Sequence, residues 1–291
     1  MKPAPFQYHA PGTADEAAAA LAELGDEAKV LAGGQSLVPL LALRLAVFDH
    51  LVDVGRIAGL QGIERRDGHL WVGAATTEAA VERSAEAAEA VPLLARSTPF
   101  IGHTQIRNRG TVGGSLAHAD PAAEYPAVAL ALDAELEVLS VRGPRTIAAA
   151  DYFTGLWTTA MAPDELLVGA RFPVWSGRCG WAVKELARRH GDYAIAGAVV
   201  GVELGDDDRV RRAAIGLIGL GSTPERAAAA EAEAAGRPVG EIDAAALGQA
   251  AVAGLDAVPA DLNGSAAYRR RVGATMVSRA WATACEEALR A

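Results

Sequence analysis

Two glycine pairs, 80 residues apart, constrain the fold of this chain more than any other feature. The first pair, Gly33 and Gly34, follows the apolar run KVLA and precedes Gln35 and Ser36. Glycine is favoured where the backbone needs a positive φ or where a ligand presses against the main chain, because it has no Cβ. Successive N–H groups in such a turn bind anions, most often phosphate. A strand that enters a Gly-Gly pair is also typical of an ordinary turn, so this segment alone leaves both interpretations open.

The second pair lies within FIGHTQIRNRGTVGGSLAHADPAAEYP, residues 100–126. Here Thr111 and Ser115 flank Gly113 and Gly114, so the segment offers hydroxyl donors, backbone donors and room for close approach. Two such loops, each from its own α/β module, are suited to hold one diphosphate between them, which indicates a dinucleotide ligand. The Rossmann pattern G-x-G-x-x-G and the P-loop pattern G-x-x-x-x-G-K-[ST] are both absent, which disfavours a nicotinamide enzyme of Rossmann type.

A third glycine-rich segment, GLIGLGSTPERAAAAEA from Gly216, has the spacing G-x-x-G-x-G and leads into alanine-rich sequence. We interpret it as a buried strand followed by a helix over 223–235, capped at Ser222 or Thr223. The prediction of a dinucleotide therefore rests on the two earlier loops.

The chain has 291 residues, which is long for one compact core and favours two or three packed domains. Residues 1–55 contain a helix that begins after Thr13, with Glu16 at capping-box spacing, and two short strands, which indicates a small α/β subdomain. Residues 56–175 mix short strands with helices and are predicted to form a second α/β subdomain. Residues 176–291 have strands followed by helices, which is typical of an α+β domain with a small antiparallel sheet.

Charge and cysteine content exclude several function classes. The net charge of −9 opposes binding to the phosphate backbone of nucleic acids. No apolar run is long enough for a membrane helix and the N-terminus lacks a signal-peptide pattern, so a cytoplasmic location is expected. Cys179 and Cys285 stand far apart, so we expect neither a disulfide nor a CxxC metal site, and the four thiolates of an iron–sulfur cluster are not available. His103, His118 and Asp120 lack metal-ligand spacing and are interpreted as loop residues.

Three segments together carry a family resemblance. They are AGGQSLVPLLALR, GHTQIRNRGTVGGSLAHADPAAEYPAVALALDAE and the late DLNGSAAYRRRVGATMVSRA. In order and spacing they resemble the FAD-binding medium subunit of molybdenum hydroxylases, such as the medium subunit of carbon monoxide dehydrogenase and the flavin domain of xanthine dehydrogenase. The resemblance runs over essentially the whole chain. It is specific, because QIRNxGTxGG followed by a proline-containing acidic segment is far rarer than a lone glycine pair.

This resemblance implies an α+β protein with the flavin-binding fold of p-cresol methylhydroxylase and vanillyl-alcohol oxidase, in which two α/β subdomains hold FAD and an α+β domain follows. It implies that residues 31–37 cradle the diphosphate, that Ile101 and Gly102 lie against the cofactor, and that residues 111–115 form the second loop. Glu124 falls where relatives have an acidic residue near the adenosine ribose, although Asp is the common residue there. The implied cofactor-binding residues are Leu31, Ala32, Gly33, Gly34, Gln35, Ser36, Leu37, Ile101, Gly102, Thr111, Val112, Gly113, Gly114, Ser115, Glu124, Leu167, Lys184 and Tyr193.

Several of these assignments have alternatives in the sequence itself. Leu167 matches a flavin-lining position, and Lys184 matches a lysine near the flavin ring, where a cation raises the reduction potential because reduced flavin is negatively charged. A strand-end lysine that reaches into solvent is the alternative. Tyr193 either stacks near the flavin or packs at a domain seam. Arg107 and Arg109 either help to neutralise the diphosphate or hold their loop through backbone contacts and ion pairs.

The function implied by the resemblance is electron transfer. A molybdenum-bearing large subunit oxidises the substrate, a small subunit with two [2Fe-2S] clusters relays electrons, and the FAD of the medium subunit passes them to an external acceptor, in an (αβγ)2 assembly. No side chain of this chain is expected to act as a catalytic residue, and no metal site is expected. Two alternatives remain, which are a stand-alone FAD-dependent oxidoreductase of the same superfold and a flavin-free scaffold subunit.

Overall fold

Residues 2–60 surround a parallel sheet whose strands are joined by helices. The structure, a computed structural model, describes residues 2–291. This first part contains β1 (Gln7–His9), α1 (Ala14–Leu24), β2 (Ala28–Leu31), α2 (Leu37–Ala42) and β3 (His50–Asp53), and the strands pair in the order β1-β3-β2. The helix predicted after Thr13 is confirmed, because the Thr13 hydroxyl accepts a hydrogen bond from the N–H of Glu16 at 3.1 Å. The carboxyl ends of β2 and β3 therefore point in one direction, toward the first glycine pair.

A five-stranded antiparallel sheet with a layer of short helices forms the middle of the chain. β10 lies at its centre, in the strand order β4-β5-β10-β6-β7. The elements are β4 (Ile63–Arg66), β5 (His69–Gly73), α3 (Glu78–Arg83), α4 (Ala85–Ala90), α5 (Pro92–Ser97), α6 (Thr104–Arg107), α7 (Val112–His118), α8 (Glu124–Ala131), β6 (Glu135–Ser140), β7 (Gly143–Ala148), α9 (Ala149–Tyr152), β8 (Phe153–Gly155), β9 (Thr158–Thr159) and β10 (Leu166–Pro173). The second glycine pair lies in α7, whose first turn packs beside the end of β5.

The last part of the chain is an antiparallel sheet covered on one face by helices. Its elements are β11 (Arg178–Leu186), β12 (Ala196–Leu204), β13 (Val210–Ile218), β14 (Glu225–Arg226), α10 (Ala228–Ala234), α11 (Ala244–Ala253) and α12 (Ala266–Arg290). The strands pair in sequence order, so β11 is an edge strand. Strands and helices are mixed in all three parts, which confirms the predicted α+β class. The domain boundaries after residues 55 and 175 stay a prediction.

The helix predicted over 223–235 is wrong at its start. Residues 225–226 instead form β14, which pairs with Gly216 and Leu217 of β13. The guanidinium of Arg226 pairs with the Glu231 carboxylate at 3.0 Å, which fixes this short strand against the helix that follows. α10 therefore begins at Ala228, and neither Ser222 nor Thr223 caps it.

The middle part of the chain and the last part are packed together by backbone approach and by charged side chains, among them Arg96. A Cβ on Gly216 would lie 2.5 Å from the carbonyl oxygen of Ala127, so α8 rests directly on β13. Arg96 donates to the Glu287 carboxylate at 2.7 Å and to the carbonyl oxygen of Trp181 at 2.7 Å, which ties α5 to α12 and β11. No helix within residues 2–291 has the length and apolar character needed to cross a membrane.

The packing of α12 on β11 predicts a large effect of one small substitution. A Cβ on Gly180 would overlap the carbonyl oxygen of Ala284 and lie 2.7 Å from the nitrogen of Ala288, so Gly180→Ala has to push the helix off the sheet. We expect a loss of about 3 kcal/mol in the free energy of unfolding, measured by urea denaturation. Gly240→Ala is the matched control, because a Cβ there meets nothing within 4 Å. Equal stability of the two variants would contradict the packing described.

Candidate functional site

The first glycine loop, defined as residues 31–37, presents unused backbone donors. It leaves β2 at Leu31 and enters α2 at Leu37, and Gly34 adopts a φ of +74°. The Gln35 side-chain amide donates to the Gly33 carbonyl oxygen at 3.2 Å, which closes the turn. Within the described chain, the backbone N–H groups of residues 33–36 have no hydrogen-bond acceptor. Four consecutive free N–H groups form a concave donor surface that suits a phosphate.

The second glycine loop, defined as residues 109–115, differs from the first because all of its backbone donors except the Thr111 N–H are already used. The N–H of Val112 donates to the Thr76 carbonyl oxygen at 3.0 Å and that of Gly113 to the Ala74 carbonyl oxygen at 2.9 Å. The N–H of Gly114 donates to the Thr111 hydroxyl at 3.0 Å, and that of residue 115 to the Thr111 carbonyl oxygen at 3.0 Å. The expectation that both loops offer several backbone donors is therefore wrong for the second loop. What that loop leaves for a ligand is the Thr111 N–H, the Ser115 hydroxyl and the bare Cα of Gly114.

The two loops touch through glycine backbone. A Cβ on Gly33 would overlap the carbonyl oxygen of Arg109 and lie 2.8 Å from the Cα of Gly110. A Cβ on Gly113 would lie 2.7 Å from the Cα of Ala74, at the end of β5. Gly33 and Gly113 are therefore required for packing between segments, whereas the positive φ of Gly34 is required for the turn itself.

Arg107 holds the segment that precedes the second loop. Its side chain is buried and donates to the carbonyl oxygens of Ile101 at 3.2 Å and Gly102 at 3.1 Å. The same guanidinium forms a two-point ion pair with the Glu82 carboxylate at 2.8 and 3.1 Å. Of the two interpretations of Arg107 from sequence, the structure supports the one in which it holds its loop. Arg109, by contrast, is exposed.

The loop between β11 and β12 of the C-terminal sheet reaches both the segment before the second glycine loop and the first glycine loop. Gly191, between β11 and β12, packs so closely that its Cβ would lie 2.8 Å from the His103 ring and 3.0 Å from the Gly102 carbonyl carbon. Tyr193, two residues on, exposes 57% of its side chain. Burial of its hydroxyl and the negative charge of Asp120 raise the pKa of Tyr193, while the side chain of Ser36 in the first loop lowers it. The structure thus brings Tyr193 next to the first glycine loop.

Two of the predicted cofactor-binding residues, Leu167 and Lys184, lie outside the two glycine loops. Leu167 is 4% exposed and belongs to the hydrophobic core of the middle sheet, which leaves little of its surface for a ligand. Lys184 is half-buried on β11, on the same face as Ala182, which packs in the core of the C-terminal helices. Because β11 is an edge strand, the long Lys184 side chain is not enclosed by a second strand on that side. No carboxylate within the described residues pairs with it.

Buried carboxyl groups collect behind the loops. Glu124, 5% exposed at the start of α8, has its pKa raised by burial and then by the charge of Glu185. Burial raises the pKa of Glu78 to about 8, and Arg107 opposes this shift. Burial also raises the pKa of Glu185 to about 7. One carboxyl oxygen of Glu78 and one of Glu185 are buried without a hydrogen-bond partner. The sequence analysis missed both, because an acidic residue in the first turn of a helix or at the end of a strand carries no distinguishing signal.

The donor set fits a dinucleotide with a diphosphate. The free N–H groups of the first loop match its negative charge, and a cavity of about 500 Å³ opens beside both loops, lined by Ala32, Arg56, Asn108, Arg109 and Thr111 among others. The cavity lies between the carboxyl ends of β2 and β3 and the middle sheet, the usual position of ligands in sheets with parallel strands. The described residues contain no group of three or more His, Cys, Asp or Glu side chains arranged to hold a metal ion.

Two family models match consecutive parts of the chain. The model described as the FAD binding domain in molybdopterin dehydrogenase matches residues 4–175, and the model described as the CO dehydrogenase flavoprotein C-terminal domain matches residues 181–284. Among curated proteins, the 6-hydroxypseudooxynicotine dehydrogenase complex subunit alpha of Paenarthrobacter nicotinovorans is 43% identical over 288 residues, covering 99% of this chain and 97% of that protein. The carbon monoxide dehydrogenase medium chain of Hydrogenophaga pseudoflava is 36% identical, with coverages of 96% and 97%.

Solved structures agree with these matches over nearly the whole chain. Carbon monoxide dehydrogenase from Hydrogenophaga pseudoflava superposes with a TM-score of 0.95 at 37% identity, covering 99% of each chain. Quinoline 2-oxidoreductase from Pseudomonas putida 86 superposes with a TM-score of 0.93 at 34% identity, covering 99% of this chain and 100% of that one. The similarity therefore includes the N-terminal, middle and C-terminal sheets.

The contact between the loops generates a test of the site. Gly33→Ala places a methyl group against the backbone of the second loop, so we expect the first loop to shift and the purified chain to lose bound FAD while its circular dichroism stays near that of the parent. The measurement is the flavin absorbance that remains after incubation with FAD and desalting. Gly59→Ala is the control, because a Cβ there meets nothing within 4 Å. Full flavin content in Gly33→Ala would contradict the role given to this contact.

Proposed function

The chain belongs to the family of FAD-binding medium subunits of molybdenum hydroxylases, and we propose that it accepts electrons from an iron–sulfur partner subunit and passes them to an external acceptor. The family matches confirm the resemblance drawn from the glycine segments, the use of FAD and the place of the chain in an oxidoreductase complex. The observation that supports the proposal best is the first loop, whose four free backbone donors face no acceptor of the chain itself.

FAD supplies the redox chemistry, because a flavin accepts single electrons and releases them as a pair. The chain's own residues bind and orient the cofactor. In this proposal residues 31–37 hold the diphosphate, the Arg107 clamp keeps Ile101 and Gly102 against the cofactor, and the Ser115 hydroxyl completes the second loop. Glu124 and Tyr193 border the cofactor from α8 and from the C-terminal loop.

The electron donor in this proposal is a separate chain. Cys179 and Cys285 are too few for an iron–sulfur cluster, and burial raises the pKa of their thiols to about 11 and about 12, so neither is a thiolate at neutral pH. We therefore propose an (αβγ)2 complex in the cytoplasm, with a [2Fe-2S] small subunit as donor and a molybdenum-cofactor large subunit that selects the substrate. The named relatives act on several different compounds, which agrees with substrate selection outside this chain.

The experiment that tests this function measures electron arrival directly. The FAD-loaded chain is mixed anaerobically with the pre-reduced iron–sulfur subunit of its complex, and the loss of oxidised-flavin absorbance is followed by stopped flow. We expect the absorbance to fall only when the reduced partner is present. The Gly33→Ala variant, which is expected to lack bound FAD, should show no change in absorbance. Turnover of a small organic substrate by the FAD-loaded chain alone would instead support the stand-alone oxidoreductase and contradict the proposal.

The proposed role of Lys184 has its own test. A half-buried ammonium group without a carboxylate partner stabilises negative charge on a nearby reduced flavin, so Lys184→Met is expected to lower the flavin reduction potential. The measurement is a spectroscopic redox titration of the FAD-loaded chain, with Arg290→Met as control because that exposed cation lies at the end of α12, where it pairs with Glu286 at 3.6 Å. An unchanged potential in Lys184→Met would remove Lys184 from the cofactor site.

A further inference from the structure

The carboxyl group of Glu78 lies directly behind the contact between the two glycine loops. A Cβ on Gly110 would lie 2.6 Å from both Glu78 carboxyl oxygens, and on the other side the Cα of Gly110 touches Gly33. The Glu78 N–H also donates to the Gly110 carbonyl oxygen at 2.9 Å. The order of layers is therefore the first loop, the backbone of residues 109–110, and then the Glu78 carboxyl group.

This carboxyl group is buried and lacks a cation of its own. Glu78 is 4% exposed, and one of its oxygens has no hydrogen-bond partner in the described chain. The cation that acts on it is Arg107 of α6, which is already paired with Glu82. Three other groups that can carry negative charge interact with it, which are Glu124 and Tyr125 of α8 and Tyr193 of the C-terminal loop. The charge of Glu78 raises the pKa of each of them.

We propose that Glu78 is a positioning residue that must be a neutral carboxylic acid for FAD to bind tightly. This inference rests on the proposed site, in which residues 31–37 hold the diphosphate. A diphosphate brings two negative charges to the first loop, and an ionised Glu78 one backbone layer away repels them through a poorly solvated interior. A protonated Glu78 removes that repulsion and leaves the free N–H groups of the loop to act alone.

The consequence is a proton linked to cofactor binding. Burial holds the pKa of Glu78 at about 8 without the cofactor, so below that pH the group is already neutral and binding needs no proton. Above it, the chain takes up a proton as FAD binds, and the dissociation constant rises by about tenfold per pH unit. Burial also raises the pKa values of Glu124 and Glu185 in the same region, so the effect of Glu78 is read from the difference between variants.

The experiment is a series of FAD titrations of the cofactor-free full chain between pH 6.5 and pH 9.5, followed by the quenching of flavin fluorescence. The variant is Glu78→Gln, which is neutral at every pH. The control is Glu86→Gln, which removes an exposed carboxylate that pairs with Arg65 at 3.1 Å. Calorimetry at pH 9 in two buffers of different ionisation enthalpy counts the protons taken up. If Glu78→Gln folds poorly, Glu78→Met supplies a second neutral side chain of similar length.

We expect the parent and Glu86→Gln to lose affinity for FAD above pH 8 and to take up a proton when they bind it. At pH 9 we expect Glu78→Gln to bind FAD about tenfold more tightly than the parent and to take up fewer protons. Equal pH profiles and equal proton uptake in the parent and Glu78→Gln would overturn the inference while leaving the proposed site intact. A parent chain that binds no FAD at any pH would contradict the proposed site, and the inference with it.

Discussion

The contact between Gly33 and the backbone of residues 109–110 is the constraint on which the cofactor site depends. It joins a loop of the parallel N-terminal sheet to a loop of the middle sheet with no side chain between them, so the two sheets are held at one distance. Gly102 and Gly191 repeat this device on a smaller scale, where the C-terminal loop meets the middle sheet. Close backbone approach is possible only without Cβ, which explains why so many of the segments at the site contain glycine.

The sequence was informative where a local pattern determines local structure. Thr13 caps α1 as its spacing indicates. The family resemblance also depended on contiguous segments, and it is confirmed over nearly the whole chain. Local rules failed at β14, because residues 225–226 pair with the preceding strand β13, and this pairing overrides the helix propensity of the alanines after it.

The same distinction applies to the site. Both glycine loops look alike as sequence, yet the N–H groups of Val112 and Gly113 donate to the segment that follows β5, whereas those of residues 33–36 are free. Only the tertiary arrangement decides which donors remain. For a related reason, the sequence could not assign a role to Glu78 or choose between the two roles of Arg107. What each residue does depends on what lies beside it in space, which is a glycine backbone for Glu78 and two carbonyl oxygens for Arg107.

The free donors of the first loop also have a consequence for the protein in the cell. The residues that carry these N–H groups are partly exposed, so the groups are open to solvent, and FAD binds them only in the folded state. A free FAD concentration one thousand times the dissociation constant stabilises the fold by about 4 kcal/mol through mass action. The cofactor-free chain is therefore the form that unfolds more readily, and newly made subunits that have not yet bound FAD are the ones more exposed to proteolysis.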